Sequence, residues 1–386
     1  MGSEFDVIVF GSTGYTGRLV AEHLLKTYGA AGNVKWAMAG RSKDKLAAVA
    51  KEIGAPASLP FVVADADDPA SLEAMAKRAQ VIISTAGPYQ LYGSNFVAAC
   101  AKTGADYVDL TGESHWIAQM MAAHEAQAKR SGARLVFSCG FDSIPFDLGA
   151  WFAEEEAKKR FGAYAPRVRG RIRGMQGGLS GGTLASGQAT MAAVQKDRKL
   201  ASVLNNPFAL TPGFSGPDQP DGNTPYEDKI AGSWVGPFMM AGINTKAVHR
   251  TNFLLGHPWG ADFKYDEMQM IDGPPSGPAG GLSGFSMTNM PAPGEGPTKE
   301  ERDSGWYDIV FIAQMPDGRT LRAAVKGDRD PGYGSTSKIL AEAALVLAGV
   351  PKSTTPGGCW SPAAAMAPGL LERLPKKAGL TFTVEA

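Results

Sequence analysis

The chain has 386 residues, 44% of them hydrophobic, and its 38 basic and 38 acidic side chains leave no net charge. That balance excludes a polybasic nucleic-acid binder and an acidic disordered chain, and the length suggests two or three domains. Three scattered cysteines (Cys100, Cys139, Cys359) and five histidines without ligand spacing exclude a disulfide framework and leave no metal site to expect.

Residues 6–10 (DVIVF) read as a buried parallel strand. The run ends in Gly11-Ser12-Thr13-Gly14-Tyr15-Thr16-Gly17, and a helical pattern follows through Leu19, Val20, His23, Leu24 and Leu25. Glycines spaced G-x-x-G-x-x-G between strand and helix permit a tight turn, bring backbone N–H groups close to a pyrophosphate, and let the helix sit on the sheet. The helix N-terminus adds partial positive charge for the phosphates. A second strand over 34–39 ends at Gly40-Arg41-Ser42, ahead of a helix over 43–53. NAD-binding folds place a carboxylate here for the ribose hydroxyls. This chain has Arg41, suited to stack on adenine or bind a 2′-phosphate, and Ser42, which can cap the helix and donate to that phosphate. NADP is therefore the expected cofactor.

The alternation continues with a strand over 60–64 ending at Asp65, which can receive the adenine amino group, and a helix start at Asp68-Pro69. A strand over 81–85 leads into Ala86-Gly87-Pro88-Tyr89, and one over 106–110 into Thr111-Gly112-Glu113 and a helix from 115 to 131. A sixth strand, 134–138, leads into Cys139-Gly140-Phe141-Asp142-Ser143. The fold class expected is α/β: a doubly wound parallel Rossmann sheet with its ligand at the carboxyl ends of the strands. Loops 86–92, 111–115 and 139–147 should ring the nicotinamide. The cofactor set is thus Gly11 to Gly17, Arg41, Ser42, Asp65, Ala86, Gly87, Pro88 and Thr111.

The following half is less regular. Arg167-Val168-Arg169-Gly170-Arg171-Ile172-Arg173 has a period of two, placing four arginines on one strand face and Val168 and Ile172 on the other. Either that face is solvated or it is a basic wall for a phosphate or carboxylate; like charges so close call for acidic partners or an anionic ligand. Five glycines between Met175 and Gly187, ahead of a helix, suggest tight packing of the substrate domain on the cofactor domain, with a second phosphate loop as the alternative. Between Gly273 and Pro297, 13 of 25 residues are glycine or proline, a loop that serves as plain surface, as a lid, or as an apolar contact to a membrane or partner. A helix is expected over 336–348, stopped by Gly349 and Pro351.

GSTGYTGRLVAEHL, AGRSKDKL, STAGPYQLYG, YVDLTGE and CGFDSIPFDLG, with LSGGTLAS (179–186), PAPGEGPTKEERDSGWY (291–307) and GDRDPGYGSTSKILAEAALVLA (327–348), resemble the saccharopine dehydrogenase-like oxidoreductases, in the branch called trans-acting enoyl reductases. The resemblance spans nearly the whole chain. It implies an NADP-dependent reductase with relatives in lipid biosynthesis, built from a cofactor domain (1–148), a mixed α+β substrate domain (149–330) and a C-terminal helical segment (331–386) packing back on the first. It also implies a small-molecule, lipid-like substrate, with acyl-carrier contact, peripheral membrane contact and a homodimer as open options.

No tyrosine is followed four residues later by lysine, so the short-chain dehydrogenase proton donor is absent. Tyr89, Glu113 and Asp142 at the strand ends are the catalytic candidates: Tyr89 to protonate the site left anionic after hydride delivery, Glu113 or Asp142 to position water or substrate. Each has a plainer reading as a loop-holding hydrogen bond, Asp142 as an N-cap. The leading expectation is reduction of an activated, enoyl-type double bond on an apolar acyl substrate; a non-catalytic NADP(H) sensor and a saccharopine-like dehydrogenase are the alternatives. With no leader pattern and no run of about 18 apolar residues, a cytoplasmic protein is expected.

Overall fold

The computed structural model describes residues 2–178, 180–274, 285–286 (backbone) and 294–385. The glycine- and proline-rich loop expected over 273–297 therefore lies mostly outside the described residues.

The first sheet is built from β1 (Phe5–Phe10), β2 (Trp36–Gly40), β3 (Phe61–Val63), β4 (Ala79–Ser84), β5 (Asp106–Val108) and β6 (Arg134–Val136). Its strands are all parallel: β1 pairs β2 at Val7↔Trp36 on one side and β4 at Val7↔Val81 on the other. The order β6-β5-β4-β1-β2-β3 reverses direction between β1 and β4, which opens a crevice above their carboxyl ends. The uninterrupted apolar runs follow from burial on both faces. Val7, Val9, Val81 and Ile83 point into one core, and Ile8, Phe10 and Ile82 into the other.

The second sheet contains β7 (Arg167–Gly178), β8 (Tyr226–Asp228), β9 (Ser233–Pro237), β10 (Lys264–Ile271), β11 (Phe285–Ser286), β12 (Trp306–Gln314) and β13 (Thr320–Gly327). Central β7 runs parallel to β10 and antiparallel to β12, so the sheet is mixed. Val168 and Ile172 face the helix Ile144–Phe161, sharing one core with its Phe146, Ala150 and Ala153 and with Val7 of β1. The two sheets are thus joined by continuous apolar packing.

The arginine face of β7 is neither open to solvent nor a wall for a ligand. Arg171 is fully buried and pairs with Asp228 (2.8 Å) and Asp266 (3.0 Å). Arg167 pairs with Asp266, and Arg173 with Asp308 and Glu385 (2.5 Å). Arg169 reaches Asp228 at 3.8 Å and donates to Gln314 Oε1 at 2.6 Å. The expected acidic partners stand on strands on both sides. Burial alone would raise the Asp228 carboxyl, but Arg171 holds it below its ordinary value.

The C-terminal segment contributes to both halves. Its helix Thr336–Gly349 packs over β1, β4 and β5. The short β14 (Gly358–Trp360) then adds a seventh parallel strand beside β6, and β15 (Leu380–Glu385) forms the edge of the second sheet beside β13. These two strands are additions to a segment read from sequence as helical. Buried Glu342 in that helix bonds His23 (2.6 Å), Tyr28 (2.7 Å) and Arg373 (2.5 Å), tying the segment to the helix Tyr15–Tyr28 that follows β1. Among the described residues no helix is long and apolar enough to cross a membrane.

Candidate active site

The glycine loop after β1 enters the helix Tyr15–Tyr28 through Gly14, which as N-cap supplies no side-chain hydrogen bond. The first-turn amides of a helix have no intrahelical acceptor, so here they remain available to an anion. Gly17 packs so tightly that a Cβ would overlap the Gly11 carbonyl oxygen. Ser12 is buried, its hydroxyl donating to the Val9 carbonyl (2.6 Å), while Thr13 and Gly14 are exposed and Thr16 is partly so. At the end of β2, Ser42 Oγ accepts the Lys45 N–H (3.3 Å) and caps the next helix, and Arg41 is exposed with no bonded partner among the described residues. Asp65 is half-buried at the end of β3 and accepts the Asp67 N–H (3.1 Å). No carboxylate occupies the end of β2, and its free guanidinium fits a 2′-phosphate.

Four strand ends meet above the sheet. Asp109 ties two of them, accepting N–H groups of Thr111 (3.1 Å) and Ser138 (2.8 Å) and the Tyr107 hydroxyl (2.9 Å). Burial pushes its carboxyl up to about 7 against those bonds. Thr111 is buried, its Oγ1 accepting the Glu113 N–H (3.1 Å). Both oxygens of buried Glu113 are also used, by the N–H groups of Tyr89 (2.9 Å) and Gln90 (2.8 Å). Tyr89 turns inward from the Ala86-Gly87-Pro88 turn: its ring packs on Trp116 and its hydroxyl donates to the Ser84 carbonyl (2.9 Å). Burial raises this phenol well above its usual value. Glu113 and Tyr89 therefore hold the 86–92 loop in place.

Asp142 is different. The N-cap of the helix Ile144–Phe161 is Ser143, so Asp142 does not cap it. Its carboxyl accepts no hydrogen bond from the described residues, keeps part of its surface open, and is otherwise enclosed by protein. That enclosure pushes it from 3.8 up to about 7. Gly112 adjoins both it and Ile243, since a Cβ there would be 3.6 Å from Asp142 Oδ2 and 2.9 Å from Ile243 Cδ1. Ile243 belongs to the helix Ala241–Leu254. A cleft of about 680 Å³ lies elsewhere around this helix, lined by Gly242, Lys246, Phe208, Tyr265 and Glu267, and includes none of the strand-end residues.

Residues from beyond the first 150 complete the site. Asp330 accepts N–H groups of Gly178 (3.2 Å), Gly332 (3.2 Å), Tyr333 (2.8 Å) and Gly334 (2.9 Å), shaping the turn 331–335. Tyr333 packs edge-on against Tyr15 of the glycine loop, ring centroids 5.2 Å apart, and its hydroxyl meets Ser180 N–H (2.7 Å) and Thr183 Oγ1 (2.5 Å). Arg302 donates to the Tyr15 hydroxyl (2.8 Å) and the Pro297 carbonyl (2.6 Å). The sequence reading gave these residues no role. The signal was present in Asp330-Pro331-Gly332, the same Asp-Pro start that identified Asp68-Pro69.

Residues 7–136 match the family model described as saccharopine dehydrogenase NADP binding domain. The chain is 35% identical, over 96% of each chain, to a protein of Mycobacterium tuberculosis named provisionally as a trans-acting enoyl reductase. It is also 35% identical to the trans-acting enoyl reductase of Mycobacterium ulcerans, over 97% of this chain and 96% of that one. Apo saccharopine dehydrogenase (L-Glu forming) from Saccharomyces cerevisiae shares the fold, with a TM-score of 0.54 at 14% identity over 99% of this chain and 100% of that chain. The cofactor is NADP, in agreement with the free first-turn amides and Arg41. The chain belongs to the saccharopine dehydrogenase-like oxidoreductases, in the trans-acting enoyl reductase branch.

Proposed function

We propose that this protein is an NADPH-dependent enoyl reductase that saturates the activated double bond of an apolar acyl or lipid-like substrate, free or held on an acyl carrier. Asp142 carries this reading: a carboxyl at the strand ends, unbonded and raised by enclosure to about 7, is a proton donor suited to neutral pH. When bound, the reduced nicotinamide supplies a hydride to the β-carbon. The chain has to protonate the α-carbon left anionic, and Asp142 in its acid form does this, regaining a proton from solvent through its open side. Tyr89 and Glu113 act as positioning residues that fix the 86–92 loop. The glycine loop, Arg41, Ser42 and Asp65 hold the cofactor, with Ala86, Gly87, Pro88 and Thr111 around its nicotinamide end.

The branch relatives named as enoyl reductases support this activity. An amino-diacid substrate is disfavoured because its carboxylates call for paired cations, and the four arginines of β7 are committed to Asp228, Asp266, Asp308 and Glu385. Buried Arg250 likewise donates to the carbonyls of Leu210 (2.6 Å) and Cys359 (2.5 Å). Stopped-flow NADPH oxidation against an enoyl thioester, an imine and a ketone tests the proposal. Turnover of the enoyl compound is expected; NADPH binding with no turnover of any class would indicate a sensor, and NADP-linked oxidation of saccharopine an amino-acid dehydrogenase.

A further inference from the structure

We infer that the helices Gly181–Lys196 and Lys199–Asn205 form a hairpin that seats this protein on an anionic lipid surface. Across both helices the one buried residue is Gly181. Met191 is 70% exposed, while Leu184, Val194, Leu200, Val203 and Leu204 are mostly covered. The second helix packs on the helix Ser114–Ser131, which leaves Met191 as the large apolar side chain these helices turn to solvent.

The hairpin is nevertheless held in position. Gln90 donates to Thr190 Oγ1 (3.1 Å), and buried Lys246 donates to the Leu204 carbonyl (2.7 Å) at the hairpin's far end. The first bond places the hairpin across the 86–92 loop, where Leu91 (61%) and Tyr92 (47%) are also exposed. The apolar surface therefore adjoins the strand-end site.

Charge selects the occupant. The tip carries Lys196, Arg198 and Lys199, all exposed, and among the described residues none makes an ion pair. Asp197 is the only acid between Glu156 and Asp218, and it is engaged in accepting the Lys199 N–H (3.0 Å). A chain with no net charge thus presents a local excess of cations beside exposed apolar side chains, the combination that binds an anionic bilayer interface. A two-fold contact with a second copy would set this cation cluster against itself. The purpose of such docking, delivery of a lipid-like substrate, rests on the proposed function; the binding rests on the hairpin alone.

The test is flotation of the full-length protein with vesicles of phosphatidylcholine, with or without phosphatidylglycerol. Binding to the anionic vesicles is expected, weakening as salt rises. The variant Lys196→Glu/Arg198→Glu/Lys199→Glu should bind them at least about tenfold more weakly, since each cation near the surface contributes about fivefold. Met191→Ser should weaken binding while leaving its salt dependence unchanged. Both variants should keep the native circular dichroism, NADPH affinity and turnover of a short soluble enoyl thioester. Wild-type protein that stays off anionic vesicles, or a triple variant that still floats with them, overturns the inference. So does light scattering in which the tip variant splits a dimer. Loss of enoyl turnover in the wild type with vesicle binding intact would refute the proposed function and leave the docking surface standing.

Discussion

Replacing Asp142 by Asn separates the catalytic from the structural consequence of the unbonded carboxyl. Below the ordinary aspartate value of 3.8 the group is protonated in both folded and unfolded chains and contributes no pH dependence. Between 3.8 and about 7 the unfolded chain releases its proton while the folded chain keeps it, so stability falls as pH rises through that window. At about 1.4 kcal/mol per pH unit the full loss is about 4.5 kcal/mol; the open side of the carboxyl reduces this to ~1–2 kcal/mol. Asparagine escapes the penalty. Asp142→Asn should therefore be more stable than wild type in urea melts followed by tryptophan fluorescence, by ~1–2 kcal/mol at pH 8 and roughly a third of that at pH 5. The same change should lower kcat on an enoyl substrate about 10²- to 10⁴-fold. Wild-type kcat should decline above about pH 7, as the acid form disappears, and the residual rate of the variant should lose that limb. A variant that keeps near-wild-type kcat, or is equally destabilised at both pH values, would refute the reasoning.

Arg41→Ala should reduce the preference for NADPH over NADH by about 10- to 150-fold, the equivalent of one charge-assisted bond to the 2′-phosphate; fluorescence titration with both cofactors reads it, and unchanged selectivity would remove Arg41 from the site. Arg171→Ala should cost about 3–5 kcal/mol in a urea melt, because it strands buried carboxylates. Arg173→Ala, removing a partly exposed arginine, should cost about 1 kcal/mol or less. Asp330→Asn turns an amide toward N–H groups that a carboxylate now satisfies. It should raise the KM for NADPH, through Tyr333 and Tyr15, and cost about 1–3 kcal/mol of stability.

The first sheet was legible because its strands are buried on both faces, so apolar runs and strand-end glycines mark every boundary to within a few residues. The C-terminal strands β14 and β15 were not, since three- and six-residue strands pairing with distant partners carry no local period. The arginine period of β7 correctly implied acidic partners. Their positions on β8, β10, β12 and β15 depend on sheet order, which no local pattern encodes. At the site, Tyr89, Glu113 and Asp142 looked equivalent as polar residues at strand ends. Only their bonding separates them: two turn into the loop they hold, and the Asp142 carboxyl has no hydrogen-bond partner among the described residues. Asp330 and Tyr333 were missed because they lie far along the chain from the glycine loop they support.

Single-turnover NADPH oxidation on a medium-chain enoyl thioester, wild type beside Asp142→Asn at pH 6.5, tests the central claim most directly. The account predicts stoichiometric oxidation with the saturated thioester as product, and a rate at least about 10²-fold lower in the variant at equal NADPH occupancy. Oxidation at the same rate in both proteins, or none in wild type with NADPH fully bound, would contradict it.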